Sequence, residues 1–137
     1  MAFNILIVDD SRVMRSVIER SIEMSGVPVG RILMAENGQV GLEALRDNWV
    51  DIVFLDVNMP VLDGIAMTDS MRRDPFLKNT PVVVVSSEAS DAKKATLFQN
   101  GAREFIEKPF TPEKIREVIH NVLGIWEDNQ GPETDSF

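Results

Sequence analysis

The sequence alternates short apolar segments with segments of helical periodicity, and this alternation restricts the fold more than any other feature. Five apolar segments recur at spacings of about 20 to 30 residues, a length that leaves room for one helix between each pair. They are Asn4–Val8, Arg31–Ala35, Ile52–Leu55, Val82–Val85 and Glu104–Glu107. Because parallel strands need helix-sized crossover connections, the pattern predicts an α/β fold: a doubly wound, five-stranded parallel sheet with helices on both faces.

The segments between the strands repeat their apolar residues every three to four positions, as amphipathic helices do. In the first of them, one helix face is predicted to carry Val13, Met14, Val17, Ile18 and Ile22. The other helices are predicted over about residues 38–47, 64–73, 91–100 and 112–123. Asp63 and Thr111 are N-cap residue types and stand where the third and fifth helices begin.

Length and composition exclude several classes of protein. The 137 residues are enough for one domain of ordinary size. The longest apolar runs hold four residues, against about 20 for a membrane span, which predicts no membrane insertion. A net charge of −8 argues against a nucleic-acid partner. With no cysteine and one histidine, any metal must be held by oxygen atoms.

The end of the chain differs in composition from the rest. Residues 124–137 hold four acidic residues and no basic one, which is half of the net charge of −8. We therefore predict a domain over residues 1–123 and a flexible acidic tail over 124–137. No basic residue precedes Arg12, so no targeting signal is legible and a cytoplasmic location is expected.

Charged and hydroxyl residues stand where the predicted strands end. Asp9 and Asp10 follow the first strand, Asp56 the third, Ser86 the fourth and Lys108 the fifth. In parallel sheets these ends form the ligand-binding edge. Carboxylates about 5 Å apart repel by about 3 kcal/mol at an effective dielectric of 20, so the cluster needs a cation. Magnesium and the lysine can supply that charge, and a carboxylate so supported can accept a phosphoryl group.

The residues around these positions form five motifs. They are Ile5-Leu6-Ile7-Val8-Asp9-Asp10, Phe54-Leu55-Asp56-Val57-Asn58-Met59-Pro60 followed by Asp63-Gly64, Val85-Ser86-Ser87-Glu88-Ala89, Gly101-Ala102 and Lys108-Pro109-Phe110. Together they resemble the receiver domains of two-component response regulators, and within that family the stand-alone, chemotaxis-type (CheY-like) members. The resemblance covers about residues 3–123 and implies the flavodoxin-like strand order 2-1-3-4-5.

The resemblance also implies roles for single residues. Asp56 corresponds to the phosphoryl acceptor, and Asp9, Asp10, Asp56 and the backbone carbonyl of Asn58 to the magnesium ligands. Ser86 and Lys108 correspond to the hydroxyl and the ammonium that contact the phosphoryl group. The Lys108-Pro109 bond is often cis in this family.

Three further positions match residues that regulate the family. Phe105 stands at the aromatic switch position, which responds to phosphorylation together with Ser86. Asn58 and Glu88 stand two residues beyond the acceptor and the hydroxyl, where the family tunes the rate of dephosphorylation.

The resemblance predicts a signalling switch and not an enzyme. It implies a histidine kinase as phosphodonor, Mg²⁺ as cofactor, and a downstream protein bound at the face of the fourth helix, fifth strand and fifth helix. A monomer is expected. Two alternatives stay open: a magnesium-dependent aspartyl phosphatase of the haloacid-dehalogenase type, and a flavodoxin-like binding module. The first requires an aspartate where Asn58 stands, and the second finds no glycine-rich phosphate loop.

Overall fold

The computed structural model describes residues 2–124, which form one five-stranded sheet and five helices. The strands are β1 (Phe3–Val8), β2 (Val29–Ala35), β3 (Ile52–Leu55), β4 (Val82–Ser86) and β5 (Ala102–Glu107). The helices are α1 (Arg12–Met24), α2 (Gly38–Asp47), α3 (Gly64–Arg73), α4 (Asp91–Gln99) and α5 (Pro112–Leu123). All strand pairs are parallel, in the order β2-β1-β3-β4-β5, which confirms the predicted fold and strand order.

The predicted strand boundaries differ from the structure mainly at the two edges of the sheet. β2 and β5 each begin two residues earlier than predicted, at Val29 and Ala102. Edge strands tolerate charged side chains because one of their sides meets solvent. Arg31 and Arg103 are exposed on these strands, so apolar content alone marks only part of each strand.

The sheet separates two apolar cores, because successive side chains of a strand point to opposite faces. On β1, Leu6 and Val8 pack into the core beneath α2 and α3, while Ile5 and Ile7 pack into the core beneath α1 and α5. All four are fully buried. The central strands are therefore apolar throughout, as strands covered on both faces must be.

The predicted apolar face of α1 is wrong for two of its five residues. Ile18 and Ile22 are buried, but Val13 is 73% and Val17 is 43% exposed. A helix advances about 100° per residue, so Val13 and Val17 lie beside the stripe that carries Ile18 and Ile22. The sheet covers only one stripe of α1, and these two valines lie outside it.

Side-chain caps set where the helices begin. Ser11, Asn37, Asp63, Ser90 and Thr111 each accept a hydrogen bond from a backbone N–H of the first turn, which confirms the two predicted caps. Beyond α5, Gly124 adopts the left-handed conformation at φ +67°. The rest of the predicted acidic tail lies outside the described residues. No helix within residues 2–124 is long and apolar enough to cross a bilayer.

Candidate functional site

The register of the central strands brings two aspartates together at the carboxyl edge of the sheet. Val8, the last residue of β1, is paired with Leu55, the last residue of β3. Asp9 and Asp56 are the next residues of the two strands. The backbone N–H of Asp56 donates to the carbonyl of Val8 at 2.9 Å, which extends the ladder to the acidic positions and fixes their distance.

Three carboxylates form one cluster, here called the carboxylate site: Asp9, Asp10 and Asp56. One ligand oxygen from each lies within 4.8 Å of the others. Asp9 is buried, Asp10 is exposed and Asp56 lies between these extremes. Hard oxygen ligands on a partly open edge suit a magnesium ion, which keeps several of its waters and takes only a few protein ligands.

Lys108 places its ammonium between the two less exposed carboxylates. Its Nζ lies 3.1 Å from Asp9 Oδ2 and 3.8 Å from Asp56 Oδ2, and its side chain is 14% exposed. The backbone N–H of Lys108 donates to the carbonyl of Ser86 at 3.0 Å, so β4 helps to position the lysine. The Lys108-Pro109 bond is cis, as the resemblance implied. One ammonium against three carboxylates leaves the site with an excess of negative charge.

The surroundings raise the pKa of Asp56 above its ordinary value. Burial is the largest cause, and the negative charge of Asp9 adds to it. The ammonium of Lys108 and the hydrogen bond from the Val57 N–H act in the opposite direction, and Asp10 contributes a smaller rise. The protein therefore holds this carboxylate in a less favourable state than water would.

The backbone around Asp56 is packed too closely for a side chain at Gly64. A Cβ atom on Gly64 would lie 2.6 Å from the carbonyl oxygen of Asp56. The N–H of Gly64 donates to the carbonyl of Val57 at 2.8 Å, and the N–H of Val57 donates to Asp56 Oδ1 at 2.8 Å. The start of α3 thus holds the loop that follows Asp56 in place.

Ser86 and Glu88 lie at the same edge, but in this structure the serine hydroxyl bonds within its own loop. Ser86 Oγ donates to the Glu88 carbonyl at 3.0 Å and accepts from the Glu88 N–H at 3.2 Å. Ser86 is buried as the last residue of β4, one residue later than the predicted strand end. The Glu88 side chain is exposed. The predicted contact of Ser86 with a phosphoryl group stays a prediction.

Two basic residues of the site were missed from the sequence. Arg15 Nη1 donates to the carbonyl of Asp9 at 2.6 Å, and Lys93 Nζ donates to Asn58 Oδ1 at 3.2 Å. Neither residue belongs to the motifs at the strand ends. Both lie in the first turns of helices that begin at this edge, and that position is the signal by which they could have been found.

Phe105 lies near the middle of β5, facing α4. The ring is partly buried against the core beneath α2 and α3, on the side where α4 lies, and Lys94 Nζ lies 4.8 Å from its centroid. A cation over an aromatic face is attracted by the ring quadrupole. Lys94 thus contacts the face of a ring that has no hydroxyl group of its own.

Comparisons with known proteins agree with this geometry. The model of the response regulator receiver domain matches residues 5–120. The chain belongs to the response regulator receiver domain family, and the resemblance seen in the sequence is confirmed.

Several relatives are similar in length to this chain. Chemotaxis protein CheY1 of Helicobacter pylori is 32% identical over 121 residues, which cover 88% of this chain and 96% of that protein. Chemotaxis protein CheY of Thermotoga maritima is 33% identical over 123 residues, covering 89% and 98%. The solved structure of Vibrio cholerae chemotaxis protein CheY4 superposes with a TM-score of 0.79 at 28% identity, covering 89% of this chain and 99% of that one.

The family assignment separates the readings that the sequence left open. The chain is a CheY-like signalling receiver domain, and neither the phosphatase nor the flavodoxin-like module is favoured. A receiver domain implies a histidine kinase and a downstream target as partners. The acidic cluster fits a divalent cation.

Proposed function

We propose that the protein is a phosphorylation-dependent switch and not an enzyme with its own product. In this switch, Asp56 accepts the phosphoryl group. One carboxylate oxygen of Asp56 forms a bond to phosphorus while the P–N bond of a kinase phosphohistidine breaks, and the imidazole keeps the electron pair. The observation that carries this proposal is the position of Lys108 Nζ, which is 3.1 Å from Asp9 and 3.8 Å from Asp56. A fixed ammonium there opposes the negative charge on the transferred group.

The carboxylate site fits the magnesium ion that such a transfer uses. The carboxylates of Asp9, Asp10 and Asp56 would hold it together with the backbone carbonyl of Asn58. Bound there, the ion would neutralise charge on the phosphoryl oxygens. Asp9 accepts from the Ser11 N–H at 2.9 Å and contacts Lys108, so its side chain is oriented before any ion binds.

Three residues would set the properties of the phosphorylated form: Ser86 would bind the phosphoryl group, and Asn58 and Glu88 would affect its rate of hydrolysis. The Ser86 hydroxyl would leave the Glu88 backbone and bond a phosphoryl oxygen. Dephosphorylation occurs when water adds to phosphorus and the P–O bond to Asp56 breaks, which regenerates the carboxylate. Asn58 and Glu88 are exposed and stand two residues beyond Asp56 and Ser86, and they would influence the approach of that water.

The conformational change would pass through Phe105 to the face formed by α4, β5 and α5. This face is the expected binding surface for a downstream protein. When Ser86 moves, Phe105 would turn inward and give up its contact with Lys94. The names of the relatives support a chemotaxis-type role. The monomeric state and the cytoplasmic location stay predictions.

Acetyl phosphate with magnesium tests the acceptor directly. We expect mass spectrometry to find one added phosphoryl group, which hydroxylamine removes because it is an acyl phosphate. The group should be absent from Asp56→Asn and present in the control Asp63→Asn, which changes the same residue type at a helix cap. A modification that persists in Asp56→Asn, or that lies on a serine, contradicts the proposal.

A pull-down with beryllofluoride-loaded and unmodified protein tests the switch and identifies the downstream partner. For a switch of about 1–2 kcal/mol, we expect affinity for that partner to rise about 5- to 30-fold. Phe105→Ala should reduce this ratio without slowing phosphorylation, because the ring takes no part in the transfer. An unchanged ratio in Phe105→Ala would show that another element transmits the signal.

A further inference from the structure

Lys93 reaches from α4 to the loop that follows the proposed phosphoryl acceptor. Its Nζ donates to Asn58 Oδ1 at 3.2 Å, although the two residues are 35 positions apart in the chain. Asn58 stands two residues beyond Asp56, and the side chains of Asn58 and Lys93 are both exposed. The contact therefore joins a residue close to the acceptor to a helix that none of the strand-end motifs includes.

The helix that carries Lys93 is held at both of its ends. Lys93 lies in the first turn of α4, where its own N–H donates to the hydroxyl of the cap residue Ser90 at 3.2 Å. Beyond the last turn, Asn100 Nδ2 donates to Thr68 Oγ1 at 3.1 Å, which attaches α4 to α3. Because the backbone of α4 is held in this way, only the side chain of Lys93 has to be ordered for the contact with Asn58 to form.

The two adjacent lysines of α4 contact different parts of the molecule. Lys94 Nζ lies 4.8 Å from the centroid of the Phe105 ring, whereas Lys93 Nζ bonds Asn58. Successive side chains of a helix point about 100° apart, so one lysine cannot replace the other. The contact with the loop beyond Asp56 is therefore a property of Lys93, and it can be tested separately from the contact with Phe105.

The chemistry of the two side chains fixes the orientation of the Asn58 amide. A lysine ammonium has three hydrogen-bond donors and no acceptor, while an asparagine amide has one oxygen that accepts and one NH₂ group that donates. Asn58 must therefore present its oxygen to Lys93, and a hydrogen bond from a charged donor is stronger than one from a neutral donor. A water molecule that used this oxygen as its hydrogen-bond acceptor would have to share it with the ammonium.

We propose that Lys93 is a positioning residue that holds the amide oxygen of Asn58 and thereby slows hydrolysis of the phosphorylated form. The proposal rests on the proposed function, with Asp56 as acceptor. In hydrolysis the oxygen of water bonds to phosphorus, the P–O bond to Asp56 breaks with its electron pair passing to the carboxylate, and both protons of the water leave with the product as dihydrogen phosphate. A hydrogen-bond acceptor beside the phosphoryl group orients the attacking water, and Lys93 competes with water for that acceptor.

Hydrolysis rates and amide spectra of the full-length chain test the proposal. The protein is loaded with acetyl phosphate and magnesium, the donor is removed by rapid desalting, and the remaining phosphoprotein is followed by intact mass. We expect Lys93→Met to speed the loss of the phosphoryl group about 2- to 5-fold, the range that an exposed contact of a charged group supports. In Asn58→Ala, adding Lys93→Met should change nothing. The matched control is Lys78→Met, which removes an exposed lysine from the segment between α3 and β4. In ¹H–¹⁵N spectra of the unmodified protein, the Asn58 side-chain signal, identified by its loss in Asn58→Ala, should shift in Lys93→Met and not in Lys78→Met.

Each result supports or overturns the proposal. Faster hydrolysis in Lys93→Met that depends on Asn58 supports it. Hydrolysis that is slower in Lys93→Met, or equal to that of Lys78→Met, overturns it. Equal acceleration in Asn58→Ala also overturns it, because Lys93 would then act on the phosphoryl group directly, and so does an Asn58 signal that Lys93→Met leaves in place. A wild type that takes up no phosphoryl group would overturn the proposed function itself, a result distinct from hydrolysis that Lys93→Met leaves unchanged.

Discussion

Replacing Asp56 by asparagine should stabilise the metal-free protein, although it removes the proposed acceptor. Ligand oxygens of Asp9 and Asp10 lie within 4.8 Å of an Asp56 oxygen. At an effective dielectric of 20, that distance corresponds to about 3.5 kcal/mol of repulsion for each pair. Lys108 Nζ lies 3.8 Å from Asp56 Oδ2, and at the same dielectric this pair attracts by about 4.4 kcal/mol.

The net effect of these terms is unfavourable. Asp10 is exposed, so water screens its contribution, while burial of the Asp56 carboxylate adds a desolvation penalty. Asparagine has nearly the same shape and can still accept the Val57 N–H bond. We therefore expect Asp56→Asn to raise the free energy of unfolding in chelator at pH 7 by about 1–3 kcal/mol.

The difference in the free energy of unfolding between Asp56→Asn and the wild type should increase with pH. The pKa of Asp56 is raised in the folded protein, so its charged form destabilises the fold above that pKa. As pH falls through the folded pKa, the carboxyl takes up a proton and the penalty decreases. It vanishes below the ordinary pKa of the unfolded chain. The gap between wild type and Asp56→Asn should therefore be widest at neutral pH and close in acid.

Urea unfolding with chelator at several pH values measures this gap. Asp63→Asn is the matched control, because asparagine caps a helix about as well as aspartate, and it should change stability by less than about 0.5 kcal/mol. A wild type that is at least as stable as Asp56→Asn at pH 7 would refute the repulsion argument. So would a gap that stays constant as the pH falls.

Three further substitutions have definite expected results. Lys108→Gln should slow phosphorylation by acetyl phosphate about 100-fold, as measured by mass spectrometry over time, because a fixed donor to the developing charge is lost; a rate within a factor of two of wild type would contradict this role. Gly64→Ala should lower the urea stability by about 1–3 kcal/mol, since its Cβ would lie 2.6 Å from the Asp56 carbonyl; no loss would show that the loop can move. Lys94→Gln should lower the stability of the unmodified protein by about 0.5–1 kcal/mol through loss of the contact with Phe105. If Lys94→Gln lowers stability by the same amount in the wild type and in Phe105→Ala, the effect does not come from the ring.

The sequence predicted which residues meet at the carboxyl edge of the sheet better than it predicted the orientation of their side chains. Alternation and strand length were enough to place Asp9, Asp56 and Lys108 together, because parallel strands end at one edge. The bond from Ser86 to the Glu88 backbone could not be predicted in the same way. The Ser86 side chain can adopt any of three staggered rotamers about its Cα–Cβ bond, and its partner depends on the path of a loop that no periodicity describes.

The exposed apolar residues of α1 show a second limit of prediction from the sequence. Periodicity gives the direction of an apolar stripe but not its width, because the width depends on how the helix sits on the sheet. Val13 and Val17 fit the repeat and are nevertheless exposed. Arg15 and Lys93 were missed for a related reason, since a basic residue on a helix is ordinarily a solvated one and only the three-dimensional path brings it to the site.

The arginines on the two edge strands have a consequence for the behaviour of the protein at high concentration. β2 and β5 end the sheet on either side, and each leaves one row of backbone N–H and C=O groups without a neighbouring strand of this sheet. Arg31 and Arg103 are exposed on these strands, and charged side chains on an edge oppose its pairing with another sheet. No acidic residue accompanies Arg31 on β2, so two copies that met edge to edge at β2 would bring like charges close together, which opposes fibril-like stacking at that edge.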